Sequence, residues 1–249
     1  MTVRSICCLL LGFLLSSCGP CPAETPEQPG PLPQANLPGS QPSLGPTVTA
    51  PFIGKSIEVP LGPAPTIDGT LSDAAWEGAY VETMLAGGEI YFLQDGHDLF
   101  VGLDAGVGGM GSLCVNWGDR VEVLHSSAAL GGRYYQHAVD DWSLVEETDW
   151  CCRGGRADEA AETEWQAQLD SYGWVSSLYN MGTRTQIEYQ IGLRDQPVRL
   201  AAVFMSMAGT IHAWPPDLSD DCLDRDLISE DTPETIQFEP RTWPQLNMK

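Results

Sequence analysis

Short apolar segments, separated by glycine and aspartate, fill the chain from about residue 52 to its end. They are rich in β-branched and aromatic residues, and several alternate apolar and polar side chains, as strands with one buried face do. The six clearest segments are 57–61, 90–93, 99–103, 120–124, 187–191 and 200–205. The pattern predicts an all-β domain over residues 52–249, built as a two-sheet antiparallel β-sandwich after a disordered tether.

Local signals add one turn and one ambiguous segment. The Asp-Gly pair at 95–96 predicts a hairpin turn over residues 94–98, because glycine accepts the positive φ that such turns require. Residues 158–169 are the only stretch with helical character. The alternation of Trp165, Ala167 and Leu169 fits a strand as well, so both interpretations stay open.

The first seventeen residues predict export. Arg4 precedes an apolar run over 6–15 that suits the core of a signal peptide and is too short to span a bilayer. Leu15-Ser16-Ser17-Cys18 resembles the bacterial lipobox, which implies a signal peptide over 1–17 and a lipid on Cys18. Gly19 after that cysteine favours an outer-membrane lipoprotein. The alternative is an ordinary secretory signal in which Cys18 is incidental.

Residues 18–51 predict a tether. They hold most of the prolines, with Gln, Ser and Gly, and cannot bury enough apolar area to fold. The whole chain carries a formal net charge of −22 at pH 7. Such acidity argues against nucleic acid as a partner, and the predicted partners are the membrane, through the anchor, and a glycan or envelope protein.

A longer resemblance runs through the domain. Residues 65–76 open with Ile-Asp-Gly, a leucine, an acidic residue and Trp76, and are similar to the opening of family 9 carbohydrate-binding modules and DOMON-like sandwiches. The segments 95–103, 119–123 and 187–193 and the pair Trp214-Pro215 resemble later parts of the same pattern in the same order. We expect Asp73 to cap a short helical turn and Trp76 to fill the sandwich.

The resemblance implies a carbohydrate site in which aromatic rings stack on sugar faces while amides and carboxylates bind hydroxyls. The candidates are tryptophans in turn-like surroundings, with nearby amides for polar contacts. They are Trp117, Trp142, Trp150 and Trp214, with Asn116, Gln136 and Asn180. Packing in the core is the alternative role for each tryptophan.

Metal and haem sites are further candidates. Sandwiches of this kind often hold structural Ca²⁺ between loops, and an acidic run offers oxygen ligands for it. That run comprises Asp217, Asp220, Asp221, Asp224 and Asp226. A solvated acidic loop is the alternative. Some DOMON-like domains bind haem through Met and His, which makes Met205, Met207 and His212 candidate ligands.

Four cysteines fall in the domain, in segments that read as loops: Cys114, Cys151, Cys152 and Cys222. An exported chain is expected to form disulfides, and four cysteines allow three connectivities. If Cys151 and Cys152 do not join each other, each must pair with one of the other two. Metal binding by the vicinal pair is a further alternative.

Known enzyme signatures are not found. Residues 106–111 spell G-x-G-x-x-G, but no helix is expected after them, so we interpret them as a flexible loop. The predicted function is that of a non-catalytic, lipid-anchored module of the cell envelope that binds carbohydrate. The alternatives are a structural or assembly lipoprotein that contacts another envelope protein, and a haem-binding electron-transfer domain.

Overall fold

Two β-sheets packed face to face form the domain. The structure, a computed structural model, describes residues 54–126, 129–148, 151, 159–176, 185–228 and 232–248. The predicted signal peptide and tether lie outside these residues, and so do Cys18, Trp150, Cys152 and Asn180. No helix in the described ranges is long and apolar enough to cross a membrane.

The described elements are fourteen strands, one α-helix and three 3₁₀ turns. The strands are β1 Ser56–Val59, β2 Tyr80–Thr83, β3 Glu89–Gln94, β4 Asp98–Asp104, β5 Gly109–Trp117, β6 Arg120–Ser126, β7 Leu130–His137, β8 Trp142–Glu147, β9 Trp174–Ser176, β10 Gln186–Gly192, β11 Val198–Ser206, β12 Ile211–Trp214, β13 Thr235–Ile236 and β14 Gln245–Met248. The helix is α1 Glu159–Tyr172, and the 3₁₀ turns are Ala74–Gly78, Asp221–Leu223 and Arg225–Ile228.

The larger sheet has nine strands in the order β1-β14-β11-β5-β6-β7-β8-β13, with β12 also paired to β11. The smaller sheet has five strands in the order β2-β3-β4-β10-β9. The pairings are antiparallel except that of β1 with β14. The predicted all-β sandwich is therefore confirmed, and each of the six predicted strands overlaps an observed one.

The ambiguous segment is a helix. The side chains of Ala161, Trp165 and Gln168 are buried on one face of α1, at the spacing of helical turns, whereas a strand would bury every second residue. Ala161 and Trp165 belong to the largest apolar cluster of the domain.

The glycine-rich segment differs from its prediction. Residues 109–111, expected in a flexible loop, begin strand β5. Glycine is needed there for close packing: a Cβ on Gly109 would lie 2.2 Å from the Met205 carbonyl oxygen, and one on Gly111 would lie 2.7 Å from Ile187 Cδ1. A strand follows the motif rather than a helix, so the setting of a phosphate-binding loop is absent.

Both sheets are also covered on their outer faces. A second apolar cluster lies on the larger sheet, where Leu218, Phe238 and Trp243 of the C-terminal segment pack on β5, β6 and β11. On the smaller sheet, Trp76 packs against Leu93 and Phe100. The expected role of Trp76 as a buried apolar plug is therefore confirmed, but Trp76 lies on the outer face of the smaller sheet and not between the sheets. Leu93 and Phe100 alternate with core residues along their strands and point away from the core.

A disulfide ties the C-terminal covering segment to the larger sheet. It joins Cys114, in the middle of β5, to Cys222, in the 3₁₀ turn Asp221–Leu223. Cys114 is thus in a strand, not in the expected loop. Cys151 is also disulfide-bonded, to a partner outside the described residues. Because Cys114 pairs with Cys222, the two connectivities that join Cys151 and Cys152 to these cysteines are excluded.

Removing this disulfide is expected to destabilise the domain. The cysteines are 108 residues apart, and a cross-link that closes so long a loop restricts the unfolded chain strongly. The double variant Cys114→Ala/Cys222→Ala should lower the free energy of unfolding by about 2 to 5 kcal/mol, measured by urea denaturation. An unchanged midpoint and slope would contradict this assignment of its role.

Candidate ligand-binding cleft

A cleft of about 480 Å³ lies where α1 meets the smaller sheet. One wall is the loop Pro65 to Asp68, the opposite wall is α1, and the floor includes Val175 of β9 and Gln190 of β10. Val175 and Gln190 are paired across the two strands, so their side chains share one face of the sheet. The volume falls within the range of small-molecule sites.

The helix wall has an apolar and a polar edge. Trp165 and Leu169, four residues apart, lie next to each other on α1 and line the cleft with Ile67 from the opposite wall. Trp165 is only 8% exposed, and its indole N–H has no hydrogen-bond partner within the described ranges. The cleft therefore has an apolar side with one unsatisfied donor group in its wall.

The polar lining is acidic. Asp68, Glu159 and Glu162 contribute carboxylates, and Gln166 and Gln190 contribute amides. No Lys, Arg or His is among the described lining residues. Uncompensated carboxylates accept hydrogen bonds and repel anions, so the cleft favours neutral hydroxyl-rich or cationic ligands over phosphates and acids.

A buried carboxylate behind the cleft holds its loop wall in place. Glu188 points to the outer face of β10. Its Oε2 accepts hydrogen bonds from the backbone N–H of Asp68 at 2.9 Å and of Gly69 at 2.8 Å, and its Oε1 accepts one from Trp76 Nε1 at 2.9 Å. Gly69 has a φ of 90°, which a glycine adopts without steric cost. The Glu188 side chain thus holds both ends of the segment that runs from Asp68 to Trp76.

Burial raises the pKa of Glu188 to about 7, although its three N–H donors oppose the shift. The charge of Asp68 adds to the increase. Asp98 lies farther along the same outer face, where its Oδ2 accepts a hydrogen bond from Gln190 Nε2 at 2.8 Å. Burial raises the pKa of Asp98 as well. Gln190 is therefore fixed in the floor of the cleft.

Asp73, expected as a helix cap, also serves this loop. It occupies the N-cap position of Ala74–Gly78, but its side chain makes no capping bond there. Its Oδ2 accepts a hydrogen bond from the backbone N–H of Thr66 at 2.5 Å instead. The loop wall is thus held from both sides by carboxylates.

Three of the predicted sugar-stacking tryptophans are buried, which corrects their assignment. Trp117, Trp142 and Trp214 have no exposed ring face, because each packs in an apolar cluster. Their indole N–H groups donate to Glu122, to the Phe238 carbonyl and to Glu82, respectively. A ring enclosed in this way cannot stack on a sugar. Trp150 lies outside the described residues.

The surroundings of Trp117 show why it is not a binding residue. The Arg194 guanidinium lies 4.5 Å from the ring centroid of Trp117 and makes two contacts, at 2.8 and 3.0 Å, with the Glu122 carboxylate. The neighbouring Asn116 donates to the carbonyls of Gly118 and Arg120, and Gln136 donates to that of Asp119. These amides hold a turn and do not face a ligand.

The acidic run proposed for Ca²⁺ does not fit a metal site. Asp220 accepts hydrogen bonds from the backbone N–H groups of Cys222 and Glu239 and from Trp243 Nε1. Asp221 accepts one from the Gln237 N–H, and Asp224 one from the Asp226 N–H. With Asp217, they form no metal-binding group of three or more ligands in the described part of the chain. These carboxylates anchor the C-terminal covering segment.

The haem candidates are also separated. His212 is paired with Phe204 across β11 and β12, so Met205, next in sequence to Phe204, faces the other side of the sheet. The His212 Nδ1 lies 2.8 Å from the Gly87 carbonyl oxygen, and Met207 is exposed in a turn. Met205 and His212 therefore cannot be the two axial ligands of one haem.

Sequence reasoning missed the residues that line the cleft. The sequence does not mark Asp68 as a binding residue, and Glu159 and Glu162 fall in the segment for which helix and strand both stay open. The acidic first turn of α1, followed by Trp165, was the available signal, but nothing in the sequence shows that this helix faces residues 65–68. Comparisons with known protein families, with curated proteins and with solved structures find no match for this chain.

Replacing Glu188 by glutamine tests its role in the loop wall. Near pH 5 the protonated carboxyl of Glu188 presents one hydrogen to its surroundings, whereas the amide presents two, and the second one faces N–H groups, so the free energy of unfolding should fall by about 1 to 3 kcal/mol. In the folded state Glu188 keeps its proton up to about pH 7, whereas in the unfolded chain it loses it near the ordinary value of 4.5. Its contribution to stability is therefore complete below pH 4.5 and lost as the pH rises through 7.

The free energy of unfolding of the wild-type protein should accordingly fall more steeply between pH 5 and 8 than that of Glu188→Gln. The difference in free energy between the two proteins should therefore narrow as the pH rises. Denaturant unfolding at several pH values measures both slopes. Glu77→Gln, an exposed change beside Trp76, is the matched control and should follow the wild type. Equal slopes for the wild type and Glu188→Gln would show that Glu188 does not titrate in this range.

Proposed function

We propose that the protein is a non-catalytic binding module of the cell envelope, tethered by a lipid on Cys18, and that the cleft beside α1 binds a carbohydrate. The observation that supports this most is the pairing of an apolar side with acceptor groups in one cleft of suitable size. Sugar rings have apolar CH faces and hydroxyl rims, which match Ile67, Trp165 and Leu169 on one side and Asp68, Glu162 and Gln166 on the other.

The charge of the cleft narrows the class of sugar. With three carboxylates and no basic residue in the described lining, neutral sugars and amino sugars suit the cleft, whereas uronic acids and sugar phosphates are repelled. The resemblance of residues 65–76 to carbohydrate-binding modules supports the same class of ligand. The cleft differs from the predicted tryptophan site in position but agrees with it in chemistry.

Titration of tryptophan fluorescence tests the carbohydrate site. Neutral, amino and acidic oligosaccharides are added to the protein, and only the first two classes should give a saturable shift. Glu162→Ala should weaken binding about tenfold, because it removes a charged acceptor from the cleft. Glu164→Ala is the matched control: Glu164 is exposed on the same helix but does not line the cleft.

Trp165→Phe separates binding from its signal. Calorimetry with this variant should still detect the ligand, whereas the fluorescence shift should be largely lost, because Trp165 is the tryptophan among the described lining residues. A flat response to every sugar from folded protein would refute the site. Equal weakening by Glu162→Ala and Glu164→Ala would do the same.

The lipid anchor has its own test and a matched control in the chain. Cys18→Ser should abolish the incorporation of labelled fatty acid and the recovery of the protein with membranes. Cys21→Ser, three residues away, should change neither. Labelling that persists in Cys18→Ser would place the lipid elsewhere or exclude it.

A second candidate function, contact with another envelope protein, is favoured by one observation. The described tryptophans are buried, as expected of a sandwich whose aromatic residues serve its core. This candidate predicts no response to any sugar and the capture of a defined envelope protein by the intact chain. The fluorescence titration above therefore distinguishes the two functions.

A further inference from the structure

Three turns meet at one end of the sandwich. They connect β2 to β3 (residues 84–88), β4 to β5 (105–108) and β11 to β12 (207–210). Strand pairing places them together, since Glu89 is paired with both Thr83 and Asp104, and Gly109 is paired with Ser206. We name these three turns together the turn end.

The turns of the turn end contact one another directly. The Met207 N–H donates to the Gly108 carbonyl at 2.9 Å. A Cβ on Gly88 would lie 2.8 Å from Ala105 Cα, so the first and second turns are also in close contact. The turn end is therefore one continuous surface, not three separate loops.

The three turns have no charged side chain of their own and carry protruding apolar side chains; the Arg225 guanidinium, from outside the turns, donates to the Gly209 carbonyl at 3.3 Å. Residues 84–88, 105–108 and 207–210 contain no Asp, Glu, Lys, Arg or His, although the chain has a net charge of −22. Leu85, Val107 and Met207, one in each turn, are 47%, 42% and 80% exposed. Ala86, beside Leu85, has a φ of 64°, which is unfavourable for a residue with a Cβ and holds this turn in a strained shape.

The opposite end of the same sandwich has the reverse character. Its turns follow β3, β5, β7 and β10, and each contains an aspartate: Asp95, Asp119, Asp140 with Asp141, and Asp195. Turns exposed to water are usually polar, as these are. The lack of charge at the turn end is thus a local property and does not follow from the fold.

A bilayer fits this surface better than a folded protein partner does. A stable protein interface needs about 800 Å² from each partner, more than three narrow turns with one apolar side chain each provide. Insertion at the boundary of headgroups and acyl chains is driven by the apolar area that is buried there, which the exposed side chains of the three turns can supply. The charge of −22 on the chain opposes anionic lipid, so zwitterionic headgroups are the suitable surface.

The point where the chain enters the domain agrees with this orientation. The described chain begins at Gly54, and Lys55 forms an ion pair with Glu82, two residues before the first turn of the turn end. The residues that precede Gly54 include Cys18. The segment that carries the proposed lipid therefore joins the domain at a residue whose side chain reaches β2, a strand that leads into the turn end.

From these observations we infer that the turn end inserts Leu85, Val107 and Met207 into the interface of a bilayer with zwitterionic headgroups, and so orients the domain on the membrane. The inference rests on the proposed anchoring for its biological setting, because a tethered domain needs only weak additional affinity. The contact itself does not require the lipid.

The test uses the chain from Gly19 onward, exported behind a cleavable signal so that it carries no lipid. Flotation with phosphatidylcholine vesicles should recover bound protein, and added salt should release little of it, since the three turns carry no charged side chain of their own. The variant Leu85→Ser/Val107→Ser/Met207→Ser should bind at least tenfold more weakly. Leu61→Ser/Val139→Ser removes two exposed apolar residues outside the turn end and should bind like the unchanged chain.

Near-ultraviolet circular dichroism verifies that each variant is folded, and Met207→Ser alone, at the most exposed of the three positions, gives a smaller loss in the same direction. Equal binding by the triple-serine variant and the unchanged chain would overturn the inference, as would no flotation of either. Self-association of the unchanged chain that the triple variant loses, without vesicle binding, would assign the turn end to a protein contact and equally overturn it.

The result is independent of the other proposals. Loss of fatty-acid labelling in Cys18→Ser concerns the anchor, and the sugar titration concerns the cleft. Neither experiment uses the turn-end variants. The turn end can therefore fail its test while anchoring and sugar binding are upheld, and the reverse is equally possible.

Discussion

The position of the Glu188 carboxylate determines how the smaller sheet is covered. The segment that carries Asp68, Gly69 and Trp76 lies over the outer face of this sheet and is mostly irregular, so it brings backbone N–H groups that need partners. Glu188 accepts hydrogen bonds from the Asp68 and Gly69 N–H groups and from the Trp76 indole. The apolar contacts of Trp76 and the loop wall of the cleft both depend on this one side chain, whose burial also raises its pKa to about 7.

The same interaction recurs across the domain. The indole N–H groups of three more tryptophans donate to buried or half-buried carboxylates. Trp117 donates to Glu122, Trp214 to Glu82 and Trp243 to Asp220. A buried tryptophan needs such a partner, and an acidic chain supplies carboxylates more readily than other acceptors. This pattern explains why tryptophans that look available for a ligand in the sequence belong to the core, and why the acidic run near Asp220 is structural.

The sequence predicted the strands that alternate clearly and failed where chain-distant residues decide. Strands β3, β4 and β10 have regular apolar positions, and α1 was recognised as one of two possibilities. The start of β5 was not predicted as a strand because it is rich in glycine. Those glycines are required by close packing against Met205 and Ile187 on other strands. The cleft combines residues 65–68 with α1 and Gln190, and Trp117 is enclosed by Arg194. No local sequence pattern predicts these contacts between residues that are far apart in the chain.

The proposed site and the proposed membrane contact are compatible in one orientation. Gln190, in the floor of the cleft, is paired with Phe100, four residues along β4 from Asp104, which borders the turn end. At about 3.3 Å per residue, this places the cleft floor roughly 13 Å above that border. With the turn end at the headgroups, the acidic cleft remains in water, where its carboxylates keep their hydration and a glycan can reach it. Among the described residues, these turns are then the part of the acidic domain that leaves water.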